Sequence, residues 1–316
     1  DGIVFDVAGF TNLSQDHLDF HGDMDNYFAA KASLFTPDRS RRGVVCVDDR
    51  YGRRLADTAG VPVTTVALDD PKADWVVIAR EAADSGGSTR VDLEGPDSRR
   101  LVVETPLPGM FNVANATLAV VMLVTAGMPA ADAIRGVASC PGVPGRMERV
   151  RLATAEPLAV VDYAHTPEAI ATVLRALRPS TRGRLIAVLG AGGDRDRDKR
   201  PLMGAAAARH ADLVVVTDDN PRSEDPAAIR SAVLAGTAEV PAADRAETRE
   251  VADRAAAISA ALGAASGPAD TVVVLGKGHE QGQEVAGVVH PFDDRTALRE
   301  ALERRTGRRH HWEDTR

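Results

Sequence analysis

Four short runs in the second half of the chain, LAVVD, RLIAVLG, DLVVVT and TVVVLG, are apolar almost end to end. A strand with one face in water alternates polar and apolar side chains, so a continuous apolar run must be covered on both faces, as in a parallel sheet between layers of helices. Helical patterns fill the intervals: Pro167 to Leu177, Pro201 to His210, Pro226 to Leu234, one around Arg249 to Leu262, and a last one from about Asp294 to Glu303. Several begin on proline, whose missing N–H costs nothing in the first turn. The fold class is α/β. Ligands of such sheets bind beyond the carboxyl ends of the strands, so the residues following the four runs are the first candidates for function.

The first section mixes element types. GIVFDVA and GVVCVDD read as buried strands, while VTTVAL, DWVVIAREA, STRVDL and RLVVETPL are shorter and separated by Gly, Asp and Pro turns, which predicts a sheet with an antiparallel extension. Helices are expected near Asn112 to Thr125 and Ala130 to Ala138. The breaker-rich SCPGVPG then marks a boundary, giving domains 1–145 and 146–316. The chain begins at Asp1 on a strand pattern with nothing before it, which implies a fragment of a longer polypeptide.

Composition narrows the function classes. A formal net charge of -8 argues against a broad electrostatic footprint for nucleic acid or an anionic membrane. No apolar run approaches a membrane span and the first residues lack the pattern of a signal peptide, so a cytoplasmic protein without membrane insertion is expected. Cys46 and Cys140 lack metal-ligand spacing and read as reduced structural thiols.

The four strand ends are dense in polar groups. DYAHTP offers Asp162, Tyr163 and His165 at the opening of a helix. LGAGGDRDRDKRPLMG fails the dinucleotide fingerprint, because the third glycine would fall on Arg195; it presents Arg195, Arg197, Lys199 and Arg200, suited to gripping a carboxylate or phosphate. TDDNPR carries Asp219, Asn220, Pro221 and Arg222, and LGKGHE carries Gly276, Lys277, His279 and Glu280. An arginine that grips carboxylates beside a glutamate that grips ammonium groups suits a zwitterionic amino acid.

Two segments of the first section also invite chemistry. Asp23 is placed as an N-cap, and Met24, Tyr27, Phe28 and Phe35 mark an apolar helix face that includes Lys31. A lysine there either snorkels to water or is desolvated into a reactive neutral amine, able to form a carbamate that with His17 could hold Mg²⁺. Asn112 and Asn115 lie three apart in a first helical turn, where they either cap or meet a purine edge. Arg146, in PGRME at the boundary, can hold a phosphate or make an ion pair.

The ordered set TNLSQDHLDFHG, YFAAK, PGMFNVAN, PGRME, DYAHTP, GGDRDRDKRPLMG, DDNPR and GKGHE resembles the Mur ligases, in particular their diaminopimelate-adding branch, from Asp1 to about Leu302. The resemblance implies part of a P-loop-type central ATPase domain with a mixed sheet, followed by a Rossmann-like, doubly wound C-terminal domain. It implies an ATP-dependent amide ligase that joins diaminopimelate to UDP-N-acetylmuramoyl-L-alanyl-D-glutamate through an acyl phosphate in peptidoglycan synthesis, with Mg²⁺, as a monomer. By motif, Lys31 would be carbamylated and His17 would bind magnesium. Asn112 and Asn115 would contact adenine, and Arg146, Asp162 and His165 the rest of ATP. Arg195, Asp219, Asn220, Pro221, Arg222, Gly276 and Glu280 would form the diaminopimelate pocket, with DNPR as the signature of that substrate.

One departure stands out. No GxxxxGK[ST] occurs, and the single GK, Gly276–Lys277, is followed by Gly278. The chain as written is expected to be a truncated ligase, inactive alone. The other readings are a lysine-adding, folylpolyglutamate or cyanophycin synthetase relative, and an amino-acid-binding remnant without catalysis.

Overall fold

The computed structural model describes residues 2–14, 18–83, 88–107, 109–140, 142–150 and 156–307. It divides into two units, Asp1–Pro141 and Gly142–Arg316.

The first unit runs β1 (Phe5–Phe10), α1 (Leu18–His21), α2 (Met24–Ala32), β2 (Ser40–Cys46), α3 (Arg50–Thr58), β3 (Val63–Ala67), β4 (Trp75–Ala83), β5 (Ser88–Glu94), β6 (Arg100–Thr105), α4 (Met110–Thr125) and α5 (Ala130–Ala138). Its strands form one sheet in sequence order. β1 to β4 are parallel, and β4, β5 and β6 pair antiparallel, as the short, turn-separated segments predicted. Asp23 caps α2 and Asp49 caps α3, each side chain accepting a first-turn backbone N–H that the helix cannot satisfy. Val113, Leu118, Val120 and Val121 of α4 pack with Val44, Val77, Leu93 and Val103 in one core, while Phe28, Phe35, Tyr51 and Leu55 pack with Phe10 and Val45 in another. Each such side chain removed from water stabilises the fold by about 1.5–3 kcal/mol.

The expectation that the opening segment is a buried strand fails at its start. Among the described residues β1 pairs with β2 alone, and Ile3 is 70% exposed with Val4 and Phe5 also exposed. An apolar run reports what a strand can bury, whereas its position in the sheet decides what is buried.

The second unit runs β7 (Glu148–Val150), β8 (Leu158–Asp162), α6 (Pro167–Leu177), β9 (Leu185–Leu189), α7 (Lys199–His210), β10 (Leu213–Val216), α8 (Pro226–Ala238), β11 (Glu247–Glu250), α9 (Arg254–Ala264), β12 (Thr271–Leu275), β13 (Gly282–Val285), β14 (Val288–Pro291) and α10 (Asp294–Thr306). The sheet order is β11-β10-β9-β12-β8-β7, parallel except for the edge strand β7. Alternate strand residues divide between two faces: Val161, Ile186, Val188, Val215 and Val274 pack under α9 and α10. The residues between them turn to the opposite face, where α6 packs on α7 and α7 on α8. The sheet is therefore doubly wound.

β8, β9, β10 and β11 advance in one direction, and β12 then returns to sit between β8 and β9. In open α/β sheets ligands bind at such a reversal, outside the carboxyl ends of the strands, here β8, β12 and β9. Three short elements escaped the sequence pattern: the edge strands β7 and β11, of which β11 is the charged ETRE within the stretch expected to open a helix at Arg249, and the β13–β14 hairpin.

Candidate functional site

In the first unit the expected residues are dispersed. His17 lies outside the described residues. Lys31 is exposed rather than desolvated, and its ammonium sits 5.4 Å from the centroid of the Tyr27 ring, which itself stacks on His21. Of the two readings, a lysine that reaches water and one that is desolvated, the exposed Lys31 has the first, while α2 buries Phe28. Asn112 is buried near the start of α4, and Asn115, expected beside it, is exposed. Among the described residues no three His, Cys, Asp or Glu side chains form a metal-binding group. No step is derived through magnesium. Cys46 is buried, which pushes its thiol up to about 12 and makes it inert.

In the second unit the strand ends converge. Because β8, β12, β9 and β10 are parallel neighbours, Asp162, Gly276, Gly190 and Thr217 all leave the sheet on the same side.

At the end of β8, Asp162 is buried with both carboxylate oxygens taken: Oδ2 accepts from the Met147 amide and Oδ1 from the Ala164 amide, each at 2.8 Å. Burial raises its pKa, and the two N–H bonds work against that rise. Each of its oxygens thus accepts one backbone N–H. What Asp162 does here is hold two segments, one carrying Arg146 and the other His165. The Arg146 guanidinium lies 4.3 Å from the Tyr163 ring centroid, and His165 and His279 pack against the same ring. His165 Nδ1 is 2.8 Å from the Tyr163 carbonyl oxygen, which can only accept, so Nδ1 carries the proton. A side chain at either Gly145 or Gly278 would overlap the backbone of the other's loop, so the PGRM and GKGH segments cross in direct contact.

At the ends of β9 and β10 the charged loop sorts itself. Arg200 is buried and grips Glu224 through two bonds, of 2.8 and 3.1 Å, and Arg197 reaches the same carboxylate. These hydrogen bonds, with that from the Asp194 amide, lower the Glu224 pKa from 4.5 to about 2. Asp194 accepts from the Ser223 hydroxyl and amide, which lowers its pKa as well. The loop is consequently not a free basic patch: Arg197 and Arg200 are consumed internally, and Arg195 is exposed. A β-carbon at Gly192 would stand 3.0 Å from Arg222 Nη1 and 3.8 Å from Arg195 Cγ, so both arginines border this glycine.

Arg222 has φ 51°, a left-handed conformation rare for a side chain of its size. The hairpin holds it there: its amide donates to the Glu284 carbonyl, its carbonyl accepts from Ala286, and its Nε lies 3.3 Å from the Glu284 carboxylate. Its Nη1 donates to the Gly193 carbonyl. Asn220 Oδ1 accepts from Lys277 Nζ at 2.9 Å and from the Glu284 amide at 3.0 Å, while its Nδ2 donates to Glu280 Oε2 at 2.8 Å. Lys277 is 0% exposed. Asp219 is buried beneath, its Oδ2 close to where Gly276 would carry a β-carbon and 3.8 Å from Arg254 Nη1. Arg254, also wholly buried, clasps Asp294 of α10 through two bonds and donates to the Leu275 and Asp218 carbonyls, joining the ends of β12 and β10.

The structure thus brings together Arg195, Asp219, Asn220, Arg222, Gly276 and Glu280, with Pro221 in the turn between Asn220 and Arg222, and sets Arg146, Asp162 and His165 at the adjoining strand end. The parts that the sequence pattern missed are supports: Glu224, Arg254 and the hairpin. The Ala286–Gly287 pair between two short β-prone runs was a legible hairpin signal, and both residues have positive φ, at 50° and 79°.

Comparison with known proteins agrees with this fold. The Mur ligase middle domain matches residues 1–123, and the Mur ligase glutamate ligase domain matches residues 145–278. The chain belongs to the Mur ligases. UDP-N-acetylmuramoyl-L-alanyl-D-glutamate--2,6-diaminopimelate ligase of Streptomyces avermitilis is 54% identical over 97% of this chain and 60% of its own length. The Streptomyces coelicolor protein of the same name is 55% identical over the same shares. A solved structure of a ligase so named superposes with TM-score 0.63 at 36% identity, covering 95% of this chain and 61% of its own. A folylpolyglutamate synthase from Mycobacterium tuberculosis shares the fold, with TM-score 0.64 at 22% identity over 96% of this chain and 64% of its own. This Mur ligase chain spans about 60% of the length of the curated relatives it matches. No helix among its described residues is long and apolar enough to cross a membrane.

Proposed function

We propose that the protein carrying this chain is an ATP-dependent ligase that forms an amide between diaminopimelate and UDP-N-acetylmuramoyl-L-alanyl-D-glutamate in peptidoglycan synthesis. The observation that carries the reading is the grouping at the ends of β9, β10 and β12. Arg195 and Arg222 border Gly192, and Asn220 and Glu280 stand together a few residues away along the same edge. Two guanidinium groups are complementary to a carboxylate, and the Glu280 carboxylate, held by the Asn220 amide nitrogen, is complementary to an ammonium. A diamino dicarboxylic acid supplies both groups at one end and a second amine at the other.

In this reading a glutamate carboxylate oxygen attacks the γ-phosphorus of ATP and ADP leaves; the free amine then attacks the acyl carbon, the C–N bond forms, the C–O bond to phosphate breaks so that phosphate leaves with that carboxyl oxygen, and the nitrogen gives up a proton. Binding and orienting the amine is the part these residues perform, and fixing the geometry is itself a large share of such catalysis. Arg146 and His165, set by Asp162 through backbone hydrogen bonds and by the Tyr163 ring, are assigned to ATP, as are Asn112 and Asn115 in the first unit. Lys31 and His17 are assigned to the phosphate end of that chemistry.

The test is phosphate release by the full-length protein. It should require ATP, the UDP-dipeptide and diaminopimelate together. Equal kcat/KM with lysine in place of diaminopimelate would remove Arg222 from its assigned role, and release without the UDP-dipeptide would sink the ligase reading.

A further inference from the structure

We propose that Lys277 is the positioning residue of the amino-acid pocket, setting which way the Asn220 amide faces and which oxygen of Glu280 a ligand meets. The inference rests on reading this edge as an amino-acid pocket.

A lysine at this place needs a reason. Its side chain is 0% exposed, so it does not snorkel, and burying an ammonium costs far more than burying a methionine of similar length. Packing alone would favour the methionine. What the ammonium adds is a donor with no acceptor capacity. Nζ lies 2.9 Å from Asn220 Oδ1 and 3.3 Å from Glu280 Oε2.

Asn220 could present either end of its amide, and Lys277 decides. With Nζ and the Glu284 amide both pointing at one position, that position must be oxygen, and the nitrogen is forced toward Glu280. Rotated by half a turn, the amide would set N–H against two donors and oxygen against a carboxylate. Glu280 is pinned in turn: Lys277 and Asn220 both bond Oε2, and Oε1 takes no bond among the described residues. The half-exposed Glu280 therefore offers a single, fixed oxygen to an incoming ammonium, with one N–H of Asn220 beside it for a carboxylate.

The experiment pairs calorimetry with crystallography on this chain and its Lys277→Met and Lys277→Gln variants, using diaminopimelate and lysine as probes. Lys277→Met is expected to bind diaminopimelate roughly 10- to 100-fold more weakly, the size of effect that follows the loss of a charged hydrogen-bond partner. Its crystal structure should show the Asn220 amide turned or displaced from Glu280. Lys277→Gln keeps an N–H donor and should recover part of the affinity. Full affinity in Lys277→Met, or an equal loss in both variants, overturns the proposal. In the full-length enzyme the change should appear in KM for the amino acid, with KM for ATP unmoved; a fall in kcat alone overturns it. If the unsubstituted chain binds neither probe, the proposed function fails, and the crystal structures still decide this inference: Asn220 unmoved without Lys277 rules it out.

Discussion

Lys31 and Lys277 show how differently the two units treat the groups that carry chemistry. Lys31 stands at the end of a surface helix with a tyrosine ring as its recorded neighbour, and Lys277 lies at a strand end, out of water, bonded to an asparagine and a glutamate. The same division runs through the other candidates: Asn115 is exposed on α4, whereas Asn220 has donors and acceptors on three sides. The second unit is preorganised; its polar groups are spent on one another and the remaining valences are aimed. In the first unit Lys31 and Asn115 stand exposed on their helices. Preorganisation of this kind lowers the entropy that binding must overcome.

The contrast can be broken most forcefully at Arg254. Replacing it with methionine leaves Asp294 buried without its partner, and urea unfolding should show a loss of about 3–5 kcal/mol. The double variant Arg254→Met, Asp294→Leu should recover much of that loss, and no recovery would mean that the pair acts through something other than its charge. Next in size is Gly145→Ala, whose methyl would overlap the Gly278–His279 backbone at a φ of 68°. About 1–3 kcal/mol of destabilisation is expected, with His279 and Tyr163 displaced together in the variant's structure. Arg222→Ala should weaken diaminopimelate binding roughly 10- to 100-fold by calorimetry while leaving ATP binding unchanged.

A smaller effect is a matter of pH. Glu224 is held from 4.5 down to about 2, so its contribution to stability is complete above 4.5 and is lost as pH falls toward 2. Acid titration of Glu224→Gln should show a flatter stability profile within that window; a profile matching the parent would remove the Arg200 pair as its cause. Smallest of all is Lys31→Met. On a surface helix it should shift stability by about 0.5 kcal/mol or less, and a larger loss would show that the lysine is doing more in the fold than its exposure indicates.

Much of this arrangement could be read from the chain. The four apolar runs specify a covered parallel sheet, and once the strands are parallel, the polar clusters that follow them share an edge without further information. Pro167, Pro226 and the cap at Asp23 fixed helix starts because their effect is local. What stayed hidden depends on contacts distant in sequence. Nothing in DRDRDKR says which arginines a single glutamate, Glu224, will consume, and nothing in GKGHE says that Lys277 faces inward. β11 was illegible because an edge strand made of ETRE has no apolar pattern to betray it. For Lys31 helical spacing left open whether the side chain reaches water, because spacing places a Cβ near a face and does not say where a four-carbon stem ends.

The β13–β14 hairpin offers a practical handle. Its tip, Ala286–Gly287, has open space around Gly287, while its base is tied to Arg222 and to the Asn220 side chain through Glu284. A fluorophore attached at that tip would ride on the ligand-gripping turn from outside, reporting occupancy of the amino-acid pocket as a change in signal without putting any foreign atom into it.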